Sequence, residues 1–270
     1  MSNPVLEEFG MKIMPFTKYI AVDSLFRSEN WETCYNKLKY AVENKSFTVL
    51  TSPPGCGKST MLRALRDNLS PNRWEFIYIS ESNLSPRWLY NLILRHFGVK
   101  EYYYRGDGKK AVHEQFAVTR ELKHREIIVC VDEAHLLSLN TLQELRFFLN
   151  SDIDSTSLVS LILSGQTELR STLRRDICEA IRQRIAFPVS LEPMNRDLTA
   201  RYIEAHLKAA GTENTAVFSE EAVDIIYAQS GGAMRIVNQI CSLSLMAAAS
   251  GSMNTVDAAI VTNVIQTEMI

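Results

Sequence analysis

The residues with the clearest chemical potential lie between Ser52 and Ser59, which read SPPGCGKS. This run fits the phosphate-loop pattern G-x-x-x-x-G-K-[ST], except that Ser52 replaces the first glycine. Its glycines allow the backbone N–H groups to face phosphates, Lys58 is expected to reach the β- and γ-phosphates, and Ser59 is expected to bind Mg²⁺. The pattern therefore predicts an ATP and magnesium site. Its nucleotide-binding residues are predicted to be Pro54, Gly55, Cys56, Gly57, Lys58, Ser59 and Thr60.

A second chemical signal is a pair of acids after an apolar run. Residues Ile127–Val131 are followed directly by Asp132 and Glu133. In folds with a phosphate loop such a strand end lies beside the phosphates, so Asp132 is predicted to hold magnesium and Glu133 to polarise the attacking water. Residues 132–135 also spell D-E-A-H, but no other helicase motif is present, and His135 is expected to be structural.

A polar side chain after the apolar run Leu158–Leu163 is predicted to sense the γ-phosphate. Gln166 is the first choice and Ser164 the alternative. Arginines just before the last apolar run often act on a neighbouring subunit's γ-phosphate in oligomeric ATPases, which makes Arg184 the candidate, with Arg182 as the alternative.

Arg235 follows a Gly-Gly pair and opens a helical stretch. An arginine in the first turn of a helix gains nothing from the helix dipole. We therefore interpret Arg235 as a second sensor that contacts a phosphate.

The elements that must position these residues alternate between short apolar runs and helical periodicity. Strands are predicted at Phe47–Thr51, Trp74–Ser80, Ile127–Val131, Leu158–Leu163 and Ile185–Val189. Helices are predicted at Trp31–Asn44, Lys58–Leu69, Ser85–Gly98, Ala111–Arg125, Asn140–Asn150, Asp197–Ala210, Glu220–Gln229, Ala233–Ala249 and Val256–Glu268. This alternation predicts an α/β fold, a P-loop core with a doubly wound parallel five-stranded sheet, followed by a small all-helical lid. The predicted domains are residues 1–190, with an N-terminal extension, and 191–270.

The stretch Tyr102–Lys110 mixes aromatic and basic residues with glycines and is predicted to be a loop. Such a loop is suited to the phosphate backbone of DNA, although an ordinary solvated loop has a similar composition. The candidate DNA-binding residues are Tyr104, Arg105, Lys109 and Lys110.

These motifs together resemble those of AAA+ ATPases, and more narrowly the ATPase domain of general secretion protein A (ExeA) and the transposition helpers TniB, TnsC and MuB. Phe9-Gly10, Ser164-Gly165-Gln166 and Gly231–Arg235 carry the narrower resemblance. Since the chain stops after the helical lid, it is more similar to stand-alone members than to secretion members, which continue into a membrane span. The resemblance implies a protein that assembles on double-stranded DNA as a ring or helical filament and works with a DDE-type transposase.

Bulk composition is consistent with this interpretation. The chain has 270 residues and a formal net charge of -2, so any DNA contact must come from a local patch. Its cysteines, an odd number without C-x-x-C spacing, predict neither zinc nor disulfides. With no signal peptide or membrane-length apolar run, we expect a cytoplasmic protein without membrane contact.

Three other functions compete with the transposition helper. A secretion-assembly ATPase acting on an envelope partner is the main alternative. A metabolic P-loop kinase would not explain Arg235 in a helical lid, and the Asp132-Glu133 pair argues against a switch that does not hydrolyse ATP.

Overall fold

The computed structural model describes residues 3–17, 20–81, 83–149 and 157–269. The chain divides into two compact units. We call Asn30–Ser52 with Lys58–Leu191 the sheet unit, and Met1–Glu29 with Pro53–Gly57 and Glu192–Ile270 the helical unit. Each unit is described separately below.

The described part of the sheet unit contains a five-stranded parallel sheet. The strands are β1 (Phe47–Thr51), β2 (Trp74–Ile79), β3 (Glu126–Val131), β4 (Val159–Gly165) and β5 (Ile185–Ser190), in the order β2-β3-β4-β1-β5. The inner strands β1 and β4 are buried throughout and β3 nearly so, whereas the edge strands β2 and β5 are only partly buried. Helices cover a parallel sheet on both faces, which explains why the inner strands are mostly apolar and buried. The predicted α/β fold class is confirmed.

The described part of this unit also contains seven α-helices. They are α2 (Glu29–Glu43), α3 (Lys58–Asp67), α4 (Pro86–His96), α5 (Arg105–Glu121), α6 (Leu139–Leu145), α7 (Glu168–Arg174) and α8 (Glu179–Arg182). The predicted start of α4 is correct, because Ser85 caps the backbone N–H of Trp88 and Pro86 occupies the first turn. The helix predicted to reach Asn150 ends as α6 and a 3₁₀ turn, Arg146–Leu149, and Asn150 itself lies outside the described residues.

The prediction of a loop at Tyr102–Lys110 was wrong, because α5 begins at Arg105. Gly108 is buried in this helix, and a Cβ there would lie 3.5 Å from the Cβ of Tyr90 on α4. This glycine is therefore a packed helical residue and not part of a flexible loop. Just before the helix, the side-chain amide of Asn91 bonds to both backbone groups of Tyr102, which fixes the entry into α5.

The helical unit contains α1 (Pro4–Glu8), α9 (Arg196–Ala210), α10 (Glu220–Ser230), α11 (Met234–Ser250) and α12 (Ala258–Glu268) among its described residues. The predicted α/β domain includes the first residues of the chain, but they belong to the helical unit. Their apolar side chains Val5, Phe9, Met11 and Phe16 are buried in its core. The backbone N–H of Lys12 also donates to the carbonyl of Ala210. Burial of four large side chains from a short segment explains this placement.

All five cysteines are buried, so each fills core space as a small apolar side chain. Among the described residues, no helix is both long and apolar enough to cross a membrane.

Candidate nucleotide-binding site

The phosphate loop joins β1 to α3 and uses its glycines for backbone conformation. Gly55 has φ +78° and Gly57 has φ +92°, both in the left-handed region that glycine adopts without steric cost. Around them, Pro54 is exposed and Cys56 is buried, while Thr60 is partly buried in the first turn of α3. The loop therefore has the curled backbone that the motif requires.

The ammonium group of Lys58 is buried and held by Ser52. Its Nζ donates to the carbonyl oxygen of Ser52 at 3.2 Å and to the Ser52 hydroxyl at 3.1 Å. Only 7% of Lys58 is exposed, and a buried charge of this kind requires such partners. Ser52 stands where the motif has glycine, and the motif alone predicts no role for its side chain. The structure instead gives its hydroxyl a partner in the site.

Asp132 lies at the end of β3, is 3% exposed and accepts hydrogen bonds through both carboxylate oxygens. Its Oδ1 accepts from the Ser164 hydroxyl at 2.7 Å and from its neighbour's backbone N–H, that of Glu133, at 3.0 Å. Its Oδ2 accepts from the Tyr78 hydroxyl at 2.6 Å and from the Ser59 hydroxyl at 3.4 Å. These bonds orient a buried carboxylate beside the first turn of α3.

Tyr78 is the site residue that sequence reasoning missed. Burial and its hydrogen bond to Asp132 raise the pKa of Tyr78, so its hydroxyl remains a donor at neutral pH. Its position in the chain could have indicated this role, because Tyr78 lies one residue before the end of β2, and β2 is next to β3 in the sheet. Parallel neighbours bring their carboxyl ends to the same edge.

Glu133 has an unusual backbone conformation for a side chain of its type. Its φ is +51°, in the left-handed region, and its carboxylate Oε2 lies 3.6 Å from Nε2 of His135. Residues in sparsely populated backbone regions cluster at functional sites, where surrounding contacts hold them. His135 is 10% exposed, and its Nδ1 accepts from the backbone N–H of Gln166 at 3.4 Å. His135 thus links Glu133 to the segment after β4.

The two sensor candidates occupy different positions. Ser164 is fully buried on β4 and bonds directly to Asp132, as described above. Gln166 is partly buried, and its backbone, not its side chain, contacts His135. Between them, a Cβ on Gly165 would lie 3.1 Å from the backbone nitrogen of His135, so this position must be small. The structure therefore brings Ser164, the alternative in the sequence analysis, to the acid pair.

The two arginine candidates before β5 also differ. The Arg182 guanidinium donates to the carbonyls of Leu173 and Arg174, at the last turn of α7. These bonds satisfy helix-end carbonyls, which is a structural task. Arg184 is exposed, and its guanidinium bonds within α8 to the carbonyl of Ala180 at 2.7 Å. Of the two arginines, Arg184 is the one at the surface.

In the helical unit, Arg235 lies against the phosphate-loop residue Gly55. The Arg235 backbone N–H donates to the Gly55 carbonyl at 3.1 Å, and a Cβ on Gly55 would be 3.0 Å from the Cβ of Arg235. The preceding Gly232 has φ +76°, and a Cβ there would lie 1.8 Å from the carbonyl oxygen of Met194. Any side chain at 232 would thus clash with the backbone of Met194, which explains the second glycine of the pair before Arg235.

The candidate DNA-binding residues are not equivalent. Tyr104 and Arg105 are exposed, with Tyr104 68% exposed. Lys109 is only partly exposed, with its Nζ 3.2 Å from the ring centre of Phe147 and 3.7 Å from Glu144. Lys110 is exposed and lies 3.9 Å from Glu114 on the same helix.

Comparison with known proteins agrees with this geometry. Residues 41–173 match a family described as AAA domain. General secretion pathway protein A from Aeromonas hydrophila is 30% identical over 244 residues, which are 89% of this chain and 44% of that protein. The chain thus spans less than half the length of this curated relative.

Solved structures share the fold at low sequence identity. The Aeropyrum pernix ORC2 protein in ADPNP-ADP complexes matches with a TM-score of 0.70 and 14% identity, over 93% of this chain and 71% of that chain. The Aeropyrum pernix ORC1 protein in complex with DNA matches with a TM-score of 0.66 and 15% identity, over 90% of this chain and 65% of that one. This chain contains an AAA domain. The resemblance of its motifs to AAA+ ATPases is confirmed by the family match and the shared fold. The narrower resemblance to transposition helpers stays a prediction.

Proposed function

We propose that this AAA+ ATPase binds duplex DNA with ATP, assembles on it as a ring or helical filament, and regulates transposition by marking a target for a DDE-type transposase. The observation that carries DNA binding is the exposed basic and aromatic start of α5. There Tyr103 and Tyr104 are 78% and 68% exposed, and the Arg105 side chain is 62% exposed. Large aromatic rings and a guanidinium at one surface are suited to a sugar–phosphate backbone.

For nucleotide binding, we assign the triphosphate to the phosphate loop. Lys58 would move its ammonium group from the oxygens of Ser52 to the β- and γ-phosphates, exchanging neutral acceptors for anionic ones. Arg235, whose backbone is bonded to Gly55, is assigned to the phosphates as a second sensor.

Ser59 and Asp132 are suited to bind a magnesium ion. The oxygens of Ser59 and Asp132 are 3.4 Å apart, and hydroxyl and carboxylate oxygens are the ligands that this ion prefers. When bound, Mg²⁺ would neutralise charge on the phosphate oxygens. Tyr78 and Ser164 would keep Asp132 oriented throughout.

For hydrolysis, we assign the orientation of the attacking water to Glu133, whose side chain is 40% exposed. We assign the sensor role to Ser164, whose hydroxyl bonds to Asp132, and keep Gln166 as the second candidate. Arg184 would act on the γ-phosphate of a neighbouring copy, since it is at the surface.

Two solved relatives support the DNA and nucleotide parts of this proposal. One was solved in ADPNP-ADP complexes and the other in complex with DNA. We extend these ligands to the present chain as part of the proposal. The transposase partner and the marking of targets rest on the resemblance of the motifs to transposition helpers.

A second candidate function is supported by the curated relative. General secretion pathway protein A shares 30% identity across most of this chain. In that case the ATPase would act on an envelope partner, and duplex DNA would change neither its assembly nor its turnover.

The deciding experiment is a fluorescence-anisotropy titration of labelled duplex DNA. It is run with no nucleotide, with ATP, and with a slowly hydrolysed ATP analogue. We expect tight binding only with nucleotide, because assembly adds the weak contacts of many subunits. The Lys58→Ala variant, with its charge-assisted phosphate contact removed, should lose this nucleotide-dependent binding. Equal binding of DNA with and without nucleotide, or none at all, would contradict the proposal and favour the second candidate.

A further inference from the structure

A cavity of about 400 Å³ opens on the sheet unit where α4 and α5 begin and α6 ends. Three arginines from three separate segments line it: Arg87 in the first turn of α4, Arg105 in the first turn of α5, and Arg146 after α6. None of the sequence motifs of the ATPase includes Arg87 or Arg146. We call this cavity the arginine pocket.

The charge balance of the arginine pocket is positive. Among the described lining residues, Glu144 is the sole carboxylate against three guanidinium groups. Its Oε1 accepts from the buried Tyr90 hydroxyl at 2.6 Å, and Lys109 and Arg105 each approach its oxygens at 3.7 Å. Glu144 is thus already engaged by a hydroxyl and two cations. The positive charges of Arg87 and Arg146 are therefore not compensated by a carboxylate of the pocket lining.

The helices that begin at the pocket add to the positive potential. Backbone N–H groups at a helix start carry partial positive charge. The first turn of α4, all of whose residues are described, contains no acid and contains Arg87. Arg105 is likewise the first residue of α5, whose first turn also contains the acid Asp107. An arginine at a helix start opposes the dipole, so these positions gain nothing for folding from their charge.

Aromatic rings hold two of these guanidinium groups. Arg87 lies 5.6 Å from the ring centre of Tyr103 and bonds to its carbonyl at 3.4 Å. Arg146 lies 5.1 Å from the ring centre of Phe147. A guanidinium held on a ring keeps N–H donors in its plane for an anion, and its rotamer freedom is reduced before the anion arrives.

We infer that the arginine pocket binds a phosphodiester group of the DNA backbone, through Arg87 and Arg146 together with Arg105. This inference rests on the proposed DNA-binding function and names the residues that would carry it. The main DNA contact is then not made by Lys109 or Lys110. The ammonium group of Lys109 is engaged with Phe147 and Glu144, and Lys110 is exposed beside Glu114. Because a backbone phosphate is the same in every nucleotide, the contact carries no base preference.

The test is the anisotropy titration with the full chain and a slowly hydrolysed ATP analogue, on two duplexes of unrelated sequence. The variant is Arg87→Gln with Arg146→Gln. Its matched control is Arg73→Gln with Arg95→Gln, which removes two arginines that also lie on aromatic rings, Trp74 and Trp88, but outside the pocket. We expect the pocket variant to bind both duplexes about tenfold or more weakly. Its slope of log affinity against log salt should be shallower by about 0.9 for each DNA phosphate that the variant no longer neutralises.

Calorimetry with the ATP analogue checks that each variant keeps its nucleotide site. If the double variant is unstable, Arg87→Gln and Arg146→Gln are measured singly, each with a smaller loss expected. Wild-type affinity and salt slope in a pocket variant that binds nucleotide would overturn the inference and leave the proposed function intact. So would an equal loss in the control pair, which would indicate a general charge effect. A wild-type chain that binds neither duplex would overturn both proposals.

Discussion

The hydroxyl of Ser164 donates to Oδ1 of Asp132 at 2.7 Å, and both residues are almost completely buried. This bond joins the carboxyl ends of two neighbouring strands, β4 and β3. A hydroxyl removed from such a pair leaves one carboxylate oxygen with fewer donors, and a buried acceptor that loses its donor is costly. The bond therefore provides a direct way to compare the two sensor candidates.

We predict that Ser164→Ala lowers the ATP turnover number more than Gln166→Ala does. The first change removes a bond to Asp132, whereas the second removes a side chain whose backbone makes the contact to His135. The expected loss for Ser164→Ala is about tenfold or more, as for a hydrogen bond of roughly 1.5 kcal/mol to a charged acceptor. Steady-state phosphate release at saturating ATP measures it. A larger loss for Gln166→Ala would restore Gln166 as the sensor.

We predict that Glu133→Gln keeps ATP binding and lowers turnover by roughly 10²-fold or more, because the amide cannot act as a base toward water. The substitution retains size, so DNA complexes formed with ATP should also last longer. The matched control is Glu121→Gln, at the exposed end of α5, which should turn over ATP like the wild type. Calorimetry and phosphate release are measured on both variants. Wild-type turnover in Glu133→Gln would remove it from the catalytic role.

We predict that Arg184→Ala and Lys58→Ala subunits, each inactive alone, recover part of the ATPase activity when mixed. A mixed interface can pair an intact Arg184 with an intact phosphate loop on the neighbouring copy. If Arg184 acts within its own chain, no mixing ratio restores activity.

Arg182→Ala should behave differently from Arg184→Ala. It removes the donors to the carbonyls of Leu173 and Arg174, so the main effect is on stability. A loss of about 1 kcal/mol corresponds to a fall of roughly 2–4 °C in Tm for a domain of 150–250 residues. Calorimetric melting of the variant measures this. Unchanged Tm with lost activity would make Arg182 the arginine that acts on nucleotide.

We predict that part of the stability is lost as pH falls from about 6.5 toward 4, because of His206 in the helical unit. Burial lowers the pKa of His206 from 6.5 to about 4. The folded state then binds fewer protons than the unfolded state, so this contribution is complete above pH 6.5 and shrinks below it. At pH 4.5 the cost should be roughly 2–3 kcal/mol of unfolding free energy.

The comparison uses His206→Asn, whose amide oxygen can replace Nδ1 as the acceptor for the Phe16 backbone N–H. Urea unfolding at pH 7 and pH 4.5 gives the change in unfolding free energy for both proteins. The variant should be less stable at pH 7 but lose less on acidification. An identical pH dependence in the two proteins would show that His206 does not titrate in this range.

The sheet and the phosphate loop were predictable because their signals are local. A buried parallel strand needs an apolar run, and a phosphate loop needs glycine at specific positions such as Gly55. Tyr78 was missed because its role comes from the pairing of β2 with β3, and sequence spacing does not reveal which strands are neighbours. The start of α5 was missed for a similar reason, since Gly108 reads as flexibility until its contact with Tyr90 is known.

The N-terminal segment illustrates the same limit over a longer distance. The sequence shows that Phe9 and Phe16 are apolar. The residues that hydrogen-bond to their backbone, Thr212 and His206, lie about two hundred residues away in the chain. Hydrophobic periodicity reports that a side chain is buried and not which core receives it.

The left-handed backbone of Glu133 also bears on attempts to improve the protein. A side chain in that region costs roughly 1–2 kcal/mol relative to an unstrained residue, and glycine would avoid the cost. A library selected only for heat resistance should therefore enrich glycine at position 133, even though that substitution removes the carboxylate assigned to hydrolysis. Selection for heat resistance would then favour glycine at position 133, whereas selection for turnover would favour glutamate. A stabilised variant of this ATPase should therefore be sought with residue 133 held constant.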